Sequence, residues 1–323
     1  MREPPCQLVV LKSAPNAPTW LPADFLVQGG NALLGLTLVL FAARVAYAPA
    51  YVALHIALAA AHQALVRGDL RRANQSSVWT FLHAWCPLVI FMLVYFELDL
   101  LIPQLHPFAD YPYDRVLQDI DVWLLGDPVA TVARVASAPV SELLTVCYWS
   151  YYVFPLIVPT ALYLRGANEG FRAVVAILLF SYVFCYLGYV LCPAVGPHRQ
   201  FDGPRLAALN GYGLAGAAYR ALASVRVEPP DAFPSGHAMV GMLVPALALR
   251  WSRPLFAWLA PIGAGMVVST VYLRYHYLAD VFAAFVLAPI AWKLGLALDG
   301  ALQKGQGVRG FHYAARLLQL VRR

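Results

Sequence analysis

Long apolar runs separated by short polar stretches dominate the chain. Eight stand out, near residues 25–44, 47–66, 83–103, 143–164, 172–192, 237–250, 255–274 and 277–297. Most approach the about 20 apolar residues that carry a helix across a bilayer. In lipid every backbone polar group must be satisfied internally, so apolar runs of this length read as helices. The sixth run is short. With Pro234-Ser235-Gly236-His237 before it and Arg250 and Arg253 after it, it still reads as a span. The expected fold is all-α, a polytopic membrane helix bundle of about eight transmembrane helices.

The polar stretches between the runs differ. The stretch near 104–142 is acidic, with Asp110, Asp114, Asp119, Asp121 and Asp127. Within it Val116, Leu117, Ile120, Trp123 and Leu124 recur at helical spacing, which predicts a helix lying at the membrane interface. Aromatics gather where runs should end, as in Tyr148-Trp149-Ser150-Tyr151-Tyr152, and read as an interfacial belt. The tail mixes Phe311, Tyr313, Leu317, Leu318 and Val321 with basic residues and reads as a basic amphipathic segment on the inner leaflet.

Composition agrees with a membrane chain: 61% hydrophobic and 12% charged over 323 residues. The net charge of +6 is scattered through short loops and the tail, with no Lys/Arg run to track a nucleic-acid backbone. Arg67, Arg71, Arg72, Arg165, Arg172, Arg250, Arg253 and the C-terminal cations all fall on one side of an eight-span alternation. The positive-inside rule makes that side cytoplasmic, with both termini inside. One loop breaks the bias: 193–236 puts Arg199, Arg205, Arg220 and Arg226 outside, where an anion would be their simplest partner. The five cysteines form no CxxC pair and read as small hydrophobes, not as a zinc site or disulfide framework. Abundant Ala, Leu and Val with Arg in place of Lys suggest a GC-rich bacterial source, hence the plasma membrane.

The chemistry concentrates at the outer ends of the last spans. Ser235 is placed to cap the helix that follows, Gly236 lets a backbone approach an anion closely, and the free N–H groups of that helix start form a phosphate cradle. His237 falls in the first turn. His276 and Asp280 are four apart, on one helical face. A carboxylate there can accept from one imidazole nitrogen and leave the other as a nucleophile. Arg274 adjoins this pair, and His198 and Arg199 follow the fifth run. Guanidinium groups match phosphate oxygens, which points these residues toward phosphate binding. An anionic-lipid transporter could use the same cations, but a carboxylate weakens a purely anion-binding site. Two His and one carboxylate could hold a metal, but the nearby arginines would oppose a cation.

Phe233-Pro234-Ser235-Gly236-His237 followed by Ser269-Thr270-Val271-Tyr272-Leu273-Arg274-Tyr275-His276-Tyr277-Leu278-Ala279-Asp280 resembles the type 2 phosphatidic acid phosphatase superfamily. The superfamily's Pro-Ser-Gly-His is intact, and the Ser, His and Asp of its third motif keep their spacing. Thr270 stands where that motif has Arg, and Gly196-Pro197-His198-Arg199 stands in place of a Lys…Arg-Pro motif. The Ser-Thr-x-Tyr-Leu-x-x-His-Tyr-x-x-Asp form is similar to the inositol phosphorylceramide synthase group. The resemblance divides the chain into an N-terminal segment with two transmembrane helices (1–79), a six-helix catalytic core (80–298) and a cytoplasmic tail (299–323). It implies a lipid-phosphate phosphotransferase or phosphatase acting at the extracytoplasmic face. His276 would carry a phosphohistidine, Asp280 would activate it, and His237 would protonate the leaving alkoxide. No metal or cofactor is implied. Ser235, Gly236, Arg274, Arg199 and His198 are the expected phosphate-binding set. Replacing Arg274 or Arg199 with Ala is expected to cut turnover by about tenfold or more at normal expression, as loss of a charge-assisted phosphate contact would; steady-state kinetics on the purified variants checks this.

Overall fold

A computed structural model describes residues 20–71, 77–106, 112–126, 128–200, 213–217 and 230–305. Among these residues the chain is helical and contains no strand, only one isolated parallel bridge between Ala194 and Asp231. Eleven α-helices are described. They are α1 (Pro22–Leu40), α2 (Ala48–Arg71), α3 (Ser77–Leu105), α4 (Pro112–Leu125), α5 (Pro128–Val135) and α6 (Ala138–Trp149), then α7 (Phe154–Leu164), α8 (Asn168–Leu191), α9 (Gly236–Trp251), α10 (Arg253–Tyr272) and α11 (Leu278–Gly305).

Six of these, α1, α2, α3, α8, α10 and α11, are long and apolar enough to cross a membrane. The chain is therefore a polytopic helical membrane protein. The fourth apolar run differs from the continuous span expected of it. It is two helices, α6 and α7, bent by 51° about the 3-10 turn Ser150–Tyr152, and counts as a seventh span only if the pair is taken together. Pro155 in the first turn of α7 lacks an N–H and cannot continue the ladder of α6. The sixth run is α9, 16 residues and so about 24 Å long, short of a hydrocarbon core of about 30 Å. The described helices thus supply six or seven of the eight expected spans.

The helices that flank the two motifs meet at close range. α9 and α10 make the most extensive helix–helix contact of the bundle. At their crossing, a Cβ on Gly263 would lie 2.3 Å from the Gly241 carbonyl, and one on Gly241 would lie 2.9 Å from the Gly263 carbonyl. Small residues permit this backbone approach, a packing mode on which membrane helices rely. Gly295 does the same for α11 against Ile177 of α8. At the far end of the α8–α11 pair, buried Arg172 bonds Asp299 from Nε to Oδ1 at 3.2 Å. The expected C-terminal tail begins inside α11, which runs on to Gly305; residues 306–323 lie outside the described residues.

The three N-terminal helices are joined through polar side chains. His83 of α3 meets Asp69 of α2 at 2.9 Å through Nδ1 and Asp24 of α1 at 3.0 Å through Nε2. Asp24 also accepts from the Leu21 amide at 2.7 Å, and His62 Nε2 lies 3.3 Å from it. Asp24, His62, His83 and Asp69 are all buried. Ionisable groups at this depth are costly unless partnered, and here each acid has a His to meet. Replacing His83 with Leu leaves two buried carboxylates without their shared donor. A loss of about 3–5 kcal/mol is expected, read as a lowered melting temperature in detergent micelles; an unchanged transition would show that the network does not hold α1–α3 together.

Candidate active site

Three loops at one end of the bundle build the site, each carried by the end of a long helix. Residues 192–198 follow α8, 230–235 precede α9, and 273–277 join α10 to α11. They are stitched by backbone bonds: Ala232 N to Ala194 O at 2.9 Å, His198 N to Arg274 O at 2.9 Å, and Ser235 N to Asp280 O at 3.3 Å. Thr270 O accepts from both Tyr275 N and His276 N at 3.1 Å, closing the turn that carries His276.

Helix α4 holds these loops from the side. Buried Asp114 accepts from Val195 N (3.0 Å) and Gly196 N (2.8 Å), and from the Tyr277 hydroxyl at 3.0 Å. Asp121 accepts from Leu278 N (2.7 Å) and Ala279 N (2.8 Å), capping the start of α11. Carboxylates at a helix start satisfy amides that have no intrahelical partner and complement the helix dipole. Burial pushes the Asp121 carboxyl up, and the two amides it caps pull it back down. The amphipathic helix expected over Val116–Leu124 is present. Leu117 packs inward beside the acids, while Val116, Ile120 and Trp123 are exposed on the opposite side.

Ser235 caps α9 as expected, its Oγ accepting from Ala238 N at 3.2 Å. Gly236 has a packing role in addition to any approach to an anion: a Cβ there would lie 3.0 Å from the Tyr189 hydroxyl. Gly188 of α8 makes room for the cis Phe233–Pro234 turn, since a Cβ on it would lie 2.1 Å from Pro234 Cδ. Gly196, at φ +108°, faces the Tyr275 carbonyl at a distance no side chain could share. Arg274 is also in the left-handed region, at φ +65°, which a non-glycine residue adopts only when its surroundings hold it there.

His276 Nδ1 donates to the Ala232 carbonyl at 2.8 Å. A carbonyl can only accept, so this bond puts the single proton of the neutral ring on Nδ1 and leaves the lone pair on Nε2. Asp280 Oδ2, the orienting partner expected from spacing, is 3.5 Å from the same nitrogen and also accepts from Tyr277 N at 2.8 Å. The carbonyl is therefore the closer partner. Asp280 Oδ1 is buried with no hydrogen-bond partner. The His237 and His276 rings lie 5.7 Å apart, and His237 Nε2 is likewise buried and unpartnered.

The aromatic cluster read as a membrane belt divides in two. Trp149 and Tyr152 are exposed, as a belt requires. Tyr148 and Tyr151 instead sandwich the His237 ring, at 3.8 and 4.1 Å between centroids. Their i, i+3 spacing puts them on one side of the chain, a signal available in sequence. The break between α6 and α7 brings both rings to the site.

Asp231 is a further site residue without a motif to mark it. Tyr95 of α3 donates to its Oδ2 at 2.6 Å. Burial pushes its carboxyl above the ordinary range, while the Tyr95 bond and the charge of His276 draw it down. Among the expected phosphate-binding residues, Arg274 and His198 are brought together by their backbone bond, and Arg274 is buried at 1% exposure. Arg199 has its backbone in the 3-10 turn Pro197–Gln200, and its side chain lies outside what is described. Arg205, Arg220 and Arg226 lie outside the described residues. Thr270 is buried, and its hydroxyl donates to Val267 O at 2.6 Å, so it faces its own helix.

A family model described as the PAP2 superfamily matches residues 115–294, from α4 through most of α11. The chain belongs to the PAP2 superfamily. The matched stretch contains every site residue described above except Tyr95 and Asp114. A PA-phosphatase related-family protein of Dictyostelium discoideum is 29% identical over 109 residues, which are 32% of this chain and only 19% of the relative's length. No solved structure matches the chain.

Burial pushes the His276 imidazole down to about 4, against the opposing pull of Asp231 and the Ala232 carbonyl, with His198 adding to the fall. The ring therefore keeps its Nε2 lone pair as pH drops through 6.5 and loses it only near 4. Acylation of His276 by diethyl pyrocarbonate, mapped by peptide mass spectrometry, should hold its rate down to about pH 5, one unit above that value. A fall centred between pH 6 and 7, the ordinary imidazole range, would contradict this.

Proposed function

We propose that this protein is a lipid-phosphate phosphotransferase or phosphatase that works through a phosphohistidine on His276. The observation that carries the reading is the His276–Ala232 bond, which leaves Nε2 free of its proton beside a second, unpartnered imidazole.

In the first step Nε2 of His276 attacks phosphorus. The N–P bond forms, the P–O bond to the lipid breaks, and His237 delivers a proton to the departing oxygen. Asp280, 3.5 Å from Nδ1, offsets the positive charge that the ring gains. In the second step an acceptor hydroxyl gives its proton to His237, its oxygen bonds phosphorus, and the N–P bond breaks. Water as acceptor yields hydrolysis; an alcohol yields transfer. Arg274, Arg199 and His198 neutralise the phosphate oxygens, with the Ser235-Gly236 helix start beside them. The Ser269-Thr270…His276…Asp280 form favours the inositol phosphorylceramide synthase-like branch, so transfer of a phospho-headgroup is the leading version. Hydrolysis of a phosphatidate or polyprenyl phosphate is the second.

The site faces the extracytoplasmic side of the plasma membrane, with the termini cytoplasmic. The arginines of the short loops support this through the positive-inside rule. A transporter that only binds anionic lipid is disfavoured by the Asp280 carboxylate at the site.

Radiolabelled lipid phosphates incubated with and without candidate alcohols separate the versions. Inorganic phosphate alone means hydrolysis; a new phosphodiester that requires the alcohol means transfer; binding without turnover means transport. His276→Gln should abolish both turnover and acid-labile phosphoenzyme. His237→Gln should slow turnover of alkyl phosphates about 10²–10⁴-fold, as loss of a general acid does, while p-nitrophenyl phosphate, whose leaving group needs no proton, still labels the enzyme. Equal losses on both substrates would remove the acid role from His237.

A further inference from the structure

Outside the catalytic chamber, α1, α3 and α8 enclose an apolar groove of about 910 Å³. It lies largely on residues that precede the family match. Leu34 of α1, Ile90 and Phe91 of α3, and Tyr186 and Leu187 of α8 form its walls. Arg44, Gln104 and His106 gather at one end, while Asn31 and Thr37 add polar groups along α1. That end is fixed relative to the active site, because His106 Nε2 donates to Val190 O at 2.8 Å near the end of α8 from which the catalytic loop departs.

Two further observations point to an occupant. Gly30 sits in the middle of α1 and lines the groove, yet a Cβ placed on it would meet nothing within 4 Å. Glycine inside a helix is less stable than alanine, and no packing within the protein accounts for it here. Asn31 beside it is 4% exposed, also lines the groove, and its Nδ2 has no partner. A buried amide donor left without a partner, on a residue that lines a cavity, calls for an acceptor from outside the chain.

We propose that this groove is a binding site for an anionic membrane lipid, distinct from the catalytic phosphate site. The hydrocarbon chain lies over Gly30, with a chain ester or hydroxyl oxygen accepting from Asn31 Nδ2, and the phosphate headgroup meets Arg44. Arg44 is exposed, with one 3.5 Å bond to Leu105 O and its guanidinium over the Phe41 ring. Neutral and zwitterionic lipids would fill the same walls but lack the net charge that Arg44 complements. The catalytic chamber is close: Tyr186, a groove wall, is ring-packed against Tyr95, whose hydroxyl bonds Asp231. The two spaces are separated by that aromatic layer.

Native mass spectrometry of the full chain, released from micelles containing phosphatidylglycerol or phosphatidylcholine, tests the site. Wild type should retain one phosphatidylglycerol in preference to phosphatidylcholine. Arg44→Gln should reduce that preference about tenfold, the worth of one charge-assisted hydrogen bond. Gly30→Phe, which has open space to enter, and Leu187→Trp from the opposite wall should each abolish the adduct. A lipid-free melting temperature near wild type identifies those variants as folded, and having two of them guards against one failing to fold. Retention of the adduct by both folded variants would overturn the site. Unchanged headgroup preference in Arg44→Gln would overturn the assignment of Arg44.

Discussion

Two carboxylates on a short amphipathic helix hold the motif-bearing end of this protein in place. The loops that carry the motifs run between membrane helices, where unpaired amides are costly. Asp114 takes the amides of Val195 and Gly196, and Asp121 takes those of Leu278 and Ala279. The first pair positions the turn opposite Tyr275; the second sets the start of α11, and with it Asp280. His276 lies between them and inherits its place from both. The outer side of the same helix presents Val116, Ile120 and Trp123 to the surroundings. One helix thereby turns an apolar side outward and an acidic side to the candidate site.

Much of this was legible in the sequence because it is periodic or local. Six of the eight apolar runs appear as full spans where expected, and α4 was visible in the spacing of Val116, Leu117, Ile120, Trp123 and Leu124. The Ser235 cap follows from its place just before α9, and His276 lies near Asp280 as the four-residue spacing suggested, although His276 sits in the turn before α11 and not on the helix itself. What escaped depends on chain segments far apart in sequence. Ala232 is 44 residues from the histidine that it orients, and nothing about an alanine advertises a useful carbonyl. The acidic stretch does not reveal what Asp114 and Asp121 hold, because their amide partners lie about 80 and 157 residues away. Tyr148 and Tyr151 were absorbed into a belt because the break between α6 and α7, which turns them inward, follows from a bend and not from composition. The number of spans was also set by length: α9 carries the most recognisable motif but is itself too short to match a bilayer.

The bundle uses two kinds of helix contact for two purposes. Around the motifs, glycines let backbones touch, as at Gly241 and Gly263, so that the ends of α9 and α10 are held with little freedom. In the N-terminal trio the contacts are buried His–Asp pairs, which accept few alternative registers because each donor must meet its acceptor. Lipid offers almost no hydrophobic drive for helix association, so close packing and polar pairing share that task. The groove beside Gly30 lies where these two regions adjoin.

The acceptor for His276 Nδ1 is a peptide oxygen, and a peptide oxygen is present at every position of every protein. Codon changes at residue 232 can alter a side chain but cannot delete that group. Genetic variation therefore reaches the proton on His276 only indirectly, by moving the backbone through its neighbours, the Ala194 carbonyl and the Asp231–Tyr95 pair. A scan of side-chain substitutions would reach the histidine and its carboxylate and pass over the atom that selects its tautomer.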